Sequence, residues 1–206
     1  NATNTPWAPW TVVPANSKYN NLREFVDASK QGLGFHFATA GTGSTPHFVA
    51  ELLNTRYGAK ITPVPYKSGS EGAVAVISGQ VDGTSEASIV ALPHLKPGGK
   101  FKPLATTWVK RISAYPELST ATEQGFGELQ IAHWAGIHAP TGVSTEIMDK
   151  LAAAVDAGMK SAVIQNRLKP MGIEPIGGTR AAFNEFVDAE RARLGGVVKA
   201  SGMKDE

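Results

Sequence analysis

The stretch Ala40-Gly41-Thr42-Gly43-Ser44, with His47 three residues beyond it, has the residue types to hold an anion. Gly41 and Gly43 allow positive φ and let a ligand approach the backbone closely. Ser44 or Thr45 can cap the helix expected to follow, and Pro46 suits its first turn, where a missing N–H costs nothing. The free N–H groups of such a turn, together with the helix dipole, favour negative charge. His47 can add a hydrogen bond to the same anion. The plainer reading is a strand–helix connection that needs two glycines, with His47 on the helix surface. The turn alone leaves both open.

Two further stretches carry usable groups. Tyr66 and Lys67 can reach a carboxylate, or form an aromatic plug beside a solvated lysine. Ser85 and Glu86 stand at the end of a short expected strand. Glu86 can act as a base or bind an ammonium group, although an isolated glutamate at a turn is more commonly an exposed acid. The enzyme templates fit poorly. No serine lies in Gly-x-Ser-x-Gly. Gly98-Gly99-Lys100-Phe101 lacks the Walker spacing and the Ser/Thr after lysine, and Pro46 stands where a Rossmann turn has its third glycine. His133 and His138, five apart on an expected strand, point to opposite faces and cannot chelate one metal. No cofactor and no metal site is expected.

The elements that must position these groups come from a chain of 206 residues, 42% apolar and 18% charged, enough for one large domain or two small ones. Twenty basic and 18 acidic residues leave a net charge of +2, with no Lys/Arg block, so no nucleic-acid partner is expected. Cysteine is absent, which excludes disulfides and thiolate chemistry. No apolar run approaches the roughly 20 residues that cross a bilayer. Residues 1–10 do not read as a signal peptide, as is equally true of a mature secreted chain.

Residues 1–10 show no periodicity and read as a loop, and Thr11-Val12-Val13 reads as a short strand stopped by Pro14. A helix is expected over 21–30, a strand at 35–38, and a helix from the glycine turn to Gly58. Strands are expected at 59–64, 80–85, 102–109, 130–138 and 173–176. Helices are expected around Val74 and Ile77, over 88–95 with a break at Pro93, and over 146–164 and 181–198. Strands alternating with helices predict an α/β protein with mainly parallel strands. Ligands in such sheets sit beyond the carboxyl ends of the strands, so the turns at 40–45, 66–71 and 84–87 should share one edge.

Taken in order, the motifs resemble the periplasmic solute-binding proteins of the tripartite tricarboxylate transporters, the Bug family. The matching stretches are Ala40-Gly41-Thr42-Gly43-Ser44 with His47, Val64-Pro65-Tyr66-Lys67, Ser78-Gly79-Gln80-Val81-Asp82 and Leu104-Ala105-Thr106 with Lys110-Arg111. They continue through Tyr115-Pro116-Glu117-Leu118, Glu123-Gln124-Gly125, Trp134-Ala135-Gly136-Ile137 with Ala139-Pro140, and Met171-Gly172-Ile173-Glu174-Pro175 to Val197-Val198-Lys199-Ala200. No single motif is specific; their order and spacing over nearly the whole chain are.

The resemblance implies an α/β, two-lobed (type II) periplasmic-binding-protein-like fold that closes like a clamshell on a small carboxylate. It implies a periplasmic location, the membrane subunits of the transporter as partners, and no chemistry on the ligand. It places Ala40 to Ser44, His47, Tyr66, Lys67, Ser85 and Glu86 at the ligand. The position of Glu86 is usually Asp in the family and can help set ligand choice, and Ser68 replaces a usual glycine, with Gly69 one place later. Ser119 and Ser144 replace usual prolines. Family members carry a further N-terminal segment. The expectation is therefore a nearly complete lobe two over 14–128, with 1–13 and 129–206 forming a lobe one that lacks its first strands. Leu151, Val155, Phe183 and Phe186 would then be exposed, and one of three things is expected: a missing piece of the natural chain, a partner chain filling the gap, or a fragment built around lobe two. Two other functions stay open on the sequence: an enzyme acting on a small organic acid with Glu86 or His47 as base, and a truncated sensory or ligand-binding module outside transport.

Overall fold

The computed structural model describes residues 2–95 and 98–203, with the backbone alone for 2–7. Five strands form the main sheet: β2 (Pro9–Pro14), β3 (Phe35–Thr39), β4 (Ile61–Pro65), β5 (Gly83–Ala87) and β6 (Phe101–Thr106), in the order β4-β3-β5-β2-β6. β3 is parallel to β4 and β5, and β2 is antiparallel to β5 and β6. Four strands thus run one way and β2 alone runs back, which refines the expectation of a mainly parallel sheet.

Side-chain alternation along these strands sets the two faces. Trp10 and Val12 of β2 and Ala38 of β3 join a core with Val76, Val81, Phe101 and Ile112. Val13 and Phe37 face the other way, into a core with Leu22, Phe25, Val49, Leu53 and Leu104. That second core is closed by α1 (Leu22–Ser29) and α2 (Thr45–Tyr57), the first by α3 (Gly69–Ile77) and α4 (Ser88–Ala91). α1 starts where expected because Asn21 accepts a hydrogen bond from the Glu24 N–H, a side-chain N-cap. α4 ends in a 3₁₀ turn, Leu92–His94, at the expected Pro93 break.

A smaller unit follows. β1 (Ala2–Trp7) pairs antiparallel with β7 (His133–Ile137), and α5 (Thr145–Lys160) and α7 (Arg180–Ser201) lie against β1. The helix expected over 146–164 is two helices, α5 and α6 (Ala162–Leu168). Ser161 is extended at φ −68°, ψ 145°, and its side chain caps α6 by accepting from the Ile164 N–H. Residues 173–176 form no strand; they follow a 3₁₀ turn at Lys169–Met171 whose carbonyl at Met171 accepts from the Ser88 hydroxyl. Residues 1–10, expected as a loop, hold β1 and the start of β2, so two prolines and two tryptophans masked strand periodicity.

The five-stranded sheet and its core take in residues on the far side of the expected boundaries at 13/14 and 128/129. Pro9–Pro14 is an interior strand of the main sheet, because Trp10, Val12 and Val13 need cover on both faces. Leu129 and Ile131 also belong to the main core, as does Val197 near the end of α7. The passage between units lies at Ala8 and near residue 132. Thr107 pins both crossings, donating its N–H to the Pro9 carbonyl (3.0 Å) and its hydroxyl to the Ile131 carbonyl (2.7 Å).

The expected apolar exposure holds for Leu151 and fails for Phe183. Phe183 is buried over Gly136, where an added Cβ would lie 2.1 Å from its ring, and it meets the Trp134 ring edge-on. Val155 and Phe186 are half-buried.

Candidate functional site

β3, β4 and β5 are parallel, so their carboxyl ends reach one edge of the sheet, where α2, α3 and α4 begin. A cleft of about 480 Å³ opens there. Its lining comes from the glycine turn and first turn of α2 (Ala40, Gly43, Ser44, Thr45, Pro46), the start of α3 (Gly69, Ser70), Glu86 with Val90, and His133 from β7. The three turns expected to share an edge do so.

The glycine turn leaves the start of α2 uncapped. Gly41 and Gly43 have φ of +95° and +75°, which L side chains rarely adopt. Ser44 sits at the N-cap position, yet its side chain makes no capping bond. Its hydroxyl donates instead to the Gly41 carbonyl (2.6 Å) and accepts from the Ala40 N–H (3.2 Å). The first N–H groups of a helix have no acceptor within it. Among the described residues, the Thr45 and His47 N–H groups have no acceptor, and Pro46 has none to offer. The positive end of a 13-residue helix therefore opens on the cleft.

His47 supports this turn rather than lining the cleft. Its Nδ1 accepts from the Gly43 N–H at 3.3 Å and its Nε2 lies 3.8 Å from Glu51, while burial lowers its pKa. A neutral ring that braces the loop fits those contacts. Five other expected residues also lie off the lining: Gly41, Thr42, Tyr66, Lys67 and Ser85. Gly41 and Thr42 shape the turn. Tyr66 is tied by its N–H to the Thr39 carbonyl and packs on the core containing Trp10. Lys67 is exposed, with its N–H bonded to the Glu71 carboxylate. Ser85 is fully buried and pairs with Thr11, on the sheet face opposite to Glu86.

Glu86 differs from the exposed acid that an isolated glutamate suggests. It is 6% exposed, stands opposite Trp10 in the sheet, and its carboxylate lies against Gly69, where an added Cβ would fall 2.7 Å from Oε2. Burial pushes its pKa from 4.5 up to about 7, against the smaller opposing effect of hydrogen bonds from Thr84 and the Ala87 N–H. No ion pair involves Glu86 among the described residues. His133 is the lining residue that the sequence did not point to, having been weighed only as a metal ligand. Burial lowers its pKa to about 4, and its Nε2 has no hydrogen-bond partner among the described residues. Gly69 and Ser70 were signalled only as a small-residue turn, and Val90 carried no signal.

Comparison with known proteins adds the context of the cleft. Residues 6–203 match the model of the tripartite tricarboxylate transporter family receptor. Protein BugT of Bordetella pertussis (strain Tohama I) is 28% identical over 168 residues, 82% of this chain and 51% of BugT. An R. palustris protein solved with adipate is 28% identical, with a TM-score of 0.86 over 97% of this chain and 67% of that one. MatC from Rhodopseudomonas palustris, solved with bound malate, is 27% identical, with a TM-score of 0.77 over 94% and 67%. The chain spans about half the length of the curated relatives it first matches. The fold is the α/β fold of these two-lobed periplasmic binding proteins.

Proposed function

The chain is a member of the tripartite tricarboxylate transporter receptor family, and from that membership we propose that it captures a small organic carboxylate in the periplasm for uptake through the transporter's membrane subunits. The observation that carries this reading is the open N-terminus of α2, where Thr45 and Pro46 line the cleft and the Thr45 and His47 N–H groups have no acceptor among the described residues. A carboxylate there gains charge-assisted hydrogen bonds, each worth about 1.5–3 kcal/mol, and the favourable end of the helix dipole. The glycine turn leaves room for it: no atom lies within 4 Å of a Cβ added at Gly41 or Gly43. The adipate and malate held by two of the similar structures are carboxylates of the expected size. Capture of this kind needs no proton transfer, so Glu86 and His47 receive no catalytic role.

Titration calorimetry of the full-length protein with mono- and dicarboxylates tests the reading. Gly43→Val puts a branched side chain at a φ of +75° beside the lining and is expected to weaken carboxylate binding at least roughly tenfold. Unchanged affinity in that variant removes the turn from the site. Uptake of the bound acid by cells carrying the membrane subunits, and its loss with the same variant, separates transport from a sensory role.

A further inference from the structure

Ser88, the first residue of α4, ties two distant stretches of the chain to the larger unit. It is fully buried. Its N–H donates to the Ala8 carbonyl (3.2 Å), where the chain passes from the smaller unit into the main sheet. Its hydroxyl faces two carbonyls in the 3₁₀ turn after α6, Met171 at 2.8 Å and Gly172 at 3.2 Å. Gly172 takes a φ of +70° there, and a Cβ added to it would fall 2.7 Å from the Ser88 Cβ. Met171 and Gly172 lie 83 and 84 positions from Ser88, so this contact is separate from the crossings at Ala8 and near residue 132. The place of the contact bears on the cleft. Ser88 stands two residues after Glu86 and two before Val90, and both of these line the cleft. The segment that Ser88 holds follows α5 and α6 of the smaller unit, which brings His133 to the same cleft. Ser88, Met171 and Gly172 are themselves off the lining.

Resting on the carboxylate reading, we propose that Ser88 is a positioning residue: with Gly172 it clasps the smaller unit to the larger, and the clasp sets the separation of the cleft walls at which the acid is held. An acid in the cleft lies between the same two units, so ligand and clasp favour one arrangement. Such a coupling is reciprocal, and a clasp that tightens binding is itself tightened by binding. Removing the hydroxyl leaves the buried Gly172 carbonyl without this donor, and an unsatisfied buried acceptor costs more than a lost surface hydrogen bond. Gly172 is needed on two counts, the close approach of Ser88 and the positive φ.

The test uses the full-length protein with succinate, malate and adipate, read by calorimetry and by stopped-flow dissociation. Ser88→Ala is expected to weaken whichever of these acids binds the wild type by about three- to tenfold, mainly through faster dissociation. Ser29→Ala is the control. Ser29 is equally buried, its hydroxyl donates to the Val26 carbonyl and accepts from the Lys60 N–H, and both partners lie in the larger unit, so affinity should stay unchanged. Gly172→Ala should weaken binding at least roughly tenfold, and adding Ser88→Gly should recover part of that loss by vacating the space the new methyl needs. Hydrogen exchange at the Gly172 and Ile173 amides needs no variant and would not respond to a serine that only supports the fold. In the wild type a bound acid is expected to slow it, and in Ser88→Ala that slowing is expected to disappear. Equal affinity in wild type and Ser88→Ala, or exchange at these two amides that a bound acid leaves unmoved, overturns the clasp and leaves the carboxylate reading standing. Failure of all three acids to bind the wild type overturns both.

Discussion

The five-stranded sheet and the two-stranded sheet come from one chain but differ in burial. The larger sheet is covered on both faces, with Trp10, Phe25, Phe37 and Leu53 fully buried. The smaller unit buries Ala152 and Phe183 and leaves Ile147 (52%), Leu151 (42%) and Val163 (77%) exposed. The cleft follows the same division. Nine of its ten lining residues belong to the larger unit, and His133 alone comes from the smaller. The proposed anion wall thus stands on a packed scaffold, as a preorganised site requires. The second unit brings its own group through a crossing pinned at Thr107.

The sharpest break of this comparison uses the cores. Phe25→Ala is expected to lower stability by about 3–5 kcal/mol, the usual cost of emptying a fully buried phenylalanine site. Phe186→Ala, at a half-buried ring, should cost less than about half of that. Urea unfolding reads both, and equal costs would remove the distinction between the units.

A smaller effect comes from the two titrating groups of the cleft. Glu86 has a folded pKa raised from 4.5 to about 7, so its burial costs nothing at low pH and destabilises the fold increasingly from pH 4.5 to 7. The full cost, on the order of 3 kcal/mol, is reached above pH 7. His133 has a folded pKa lowered from 6.5 to about 4, so its contribution is intact above pH 6.5 and is lost as pH falls toward 4. The slopes oppose one another between pH 4.5 and 6.5. Thermal melts of Glu86→Gln should show stability rising with pH across that window, where the wild type is flatter, together with a higher melting temperature at pH 8. Identical pH profiles in the two proteins would show that Glu86 is not buried as an acid.

The smallest effect belongs to the exposed face of α5. Ile147→Gln should change the stability of the described fold by no more than about 0.5 kcal/mol. A loss several times larger would mean that this residue is covered in the full protein, which would narrow the difference between the two units.

What could be read from the sequence was local. The turn at 40–45 announces itself because two glycines, a serine and a proline must lie within a few residues to make it. The end of β5 was legible as a turn, but the strand runs Gly83–Ala87 rather than 80–85. Alternation then sends Ser85 and Glu86 to opposite faces, and of the two Glu86 lines the cleft. The burial of Glu86 depends on Trp10, 76 positions earlier, and on Gly69 above it; neither leaves a trace near position 86. His133 reaches the cleft only because residues 129–131 dock in the main core and Thr107 holds Ile131. The strands at 2–14 were missed in part because prolines at 6, 9 and 14 suggest loop, although edge and end positions in a sheet admit them.

The most direct test of the central claim watches the helix end itself. The full-length protein, labelled with ¹⁵N at threonine and histidine, is titrated with a carboxylate that calorimetry has shown to bind. The account predicts that the Thr45 and His47 amide protons move downfield and saturate at the calorimetric affinity, as new hydrogen bonds to an anion would cause. Saturable binding that leaves both amides unmoved would contradict it and place the carboxylate elsewhere.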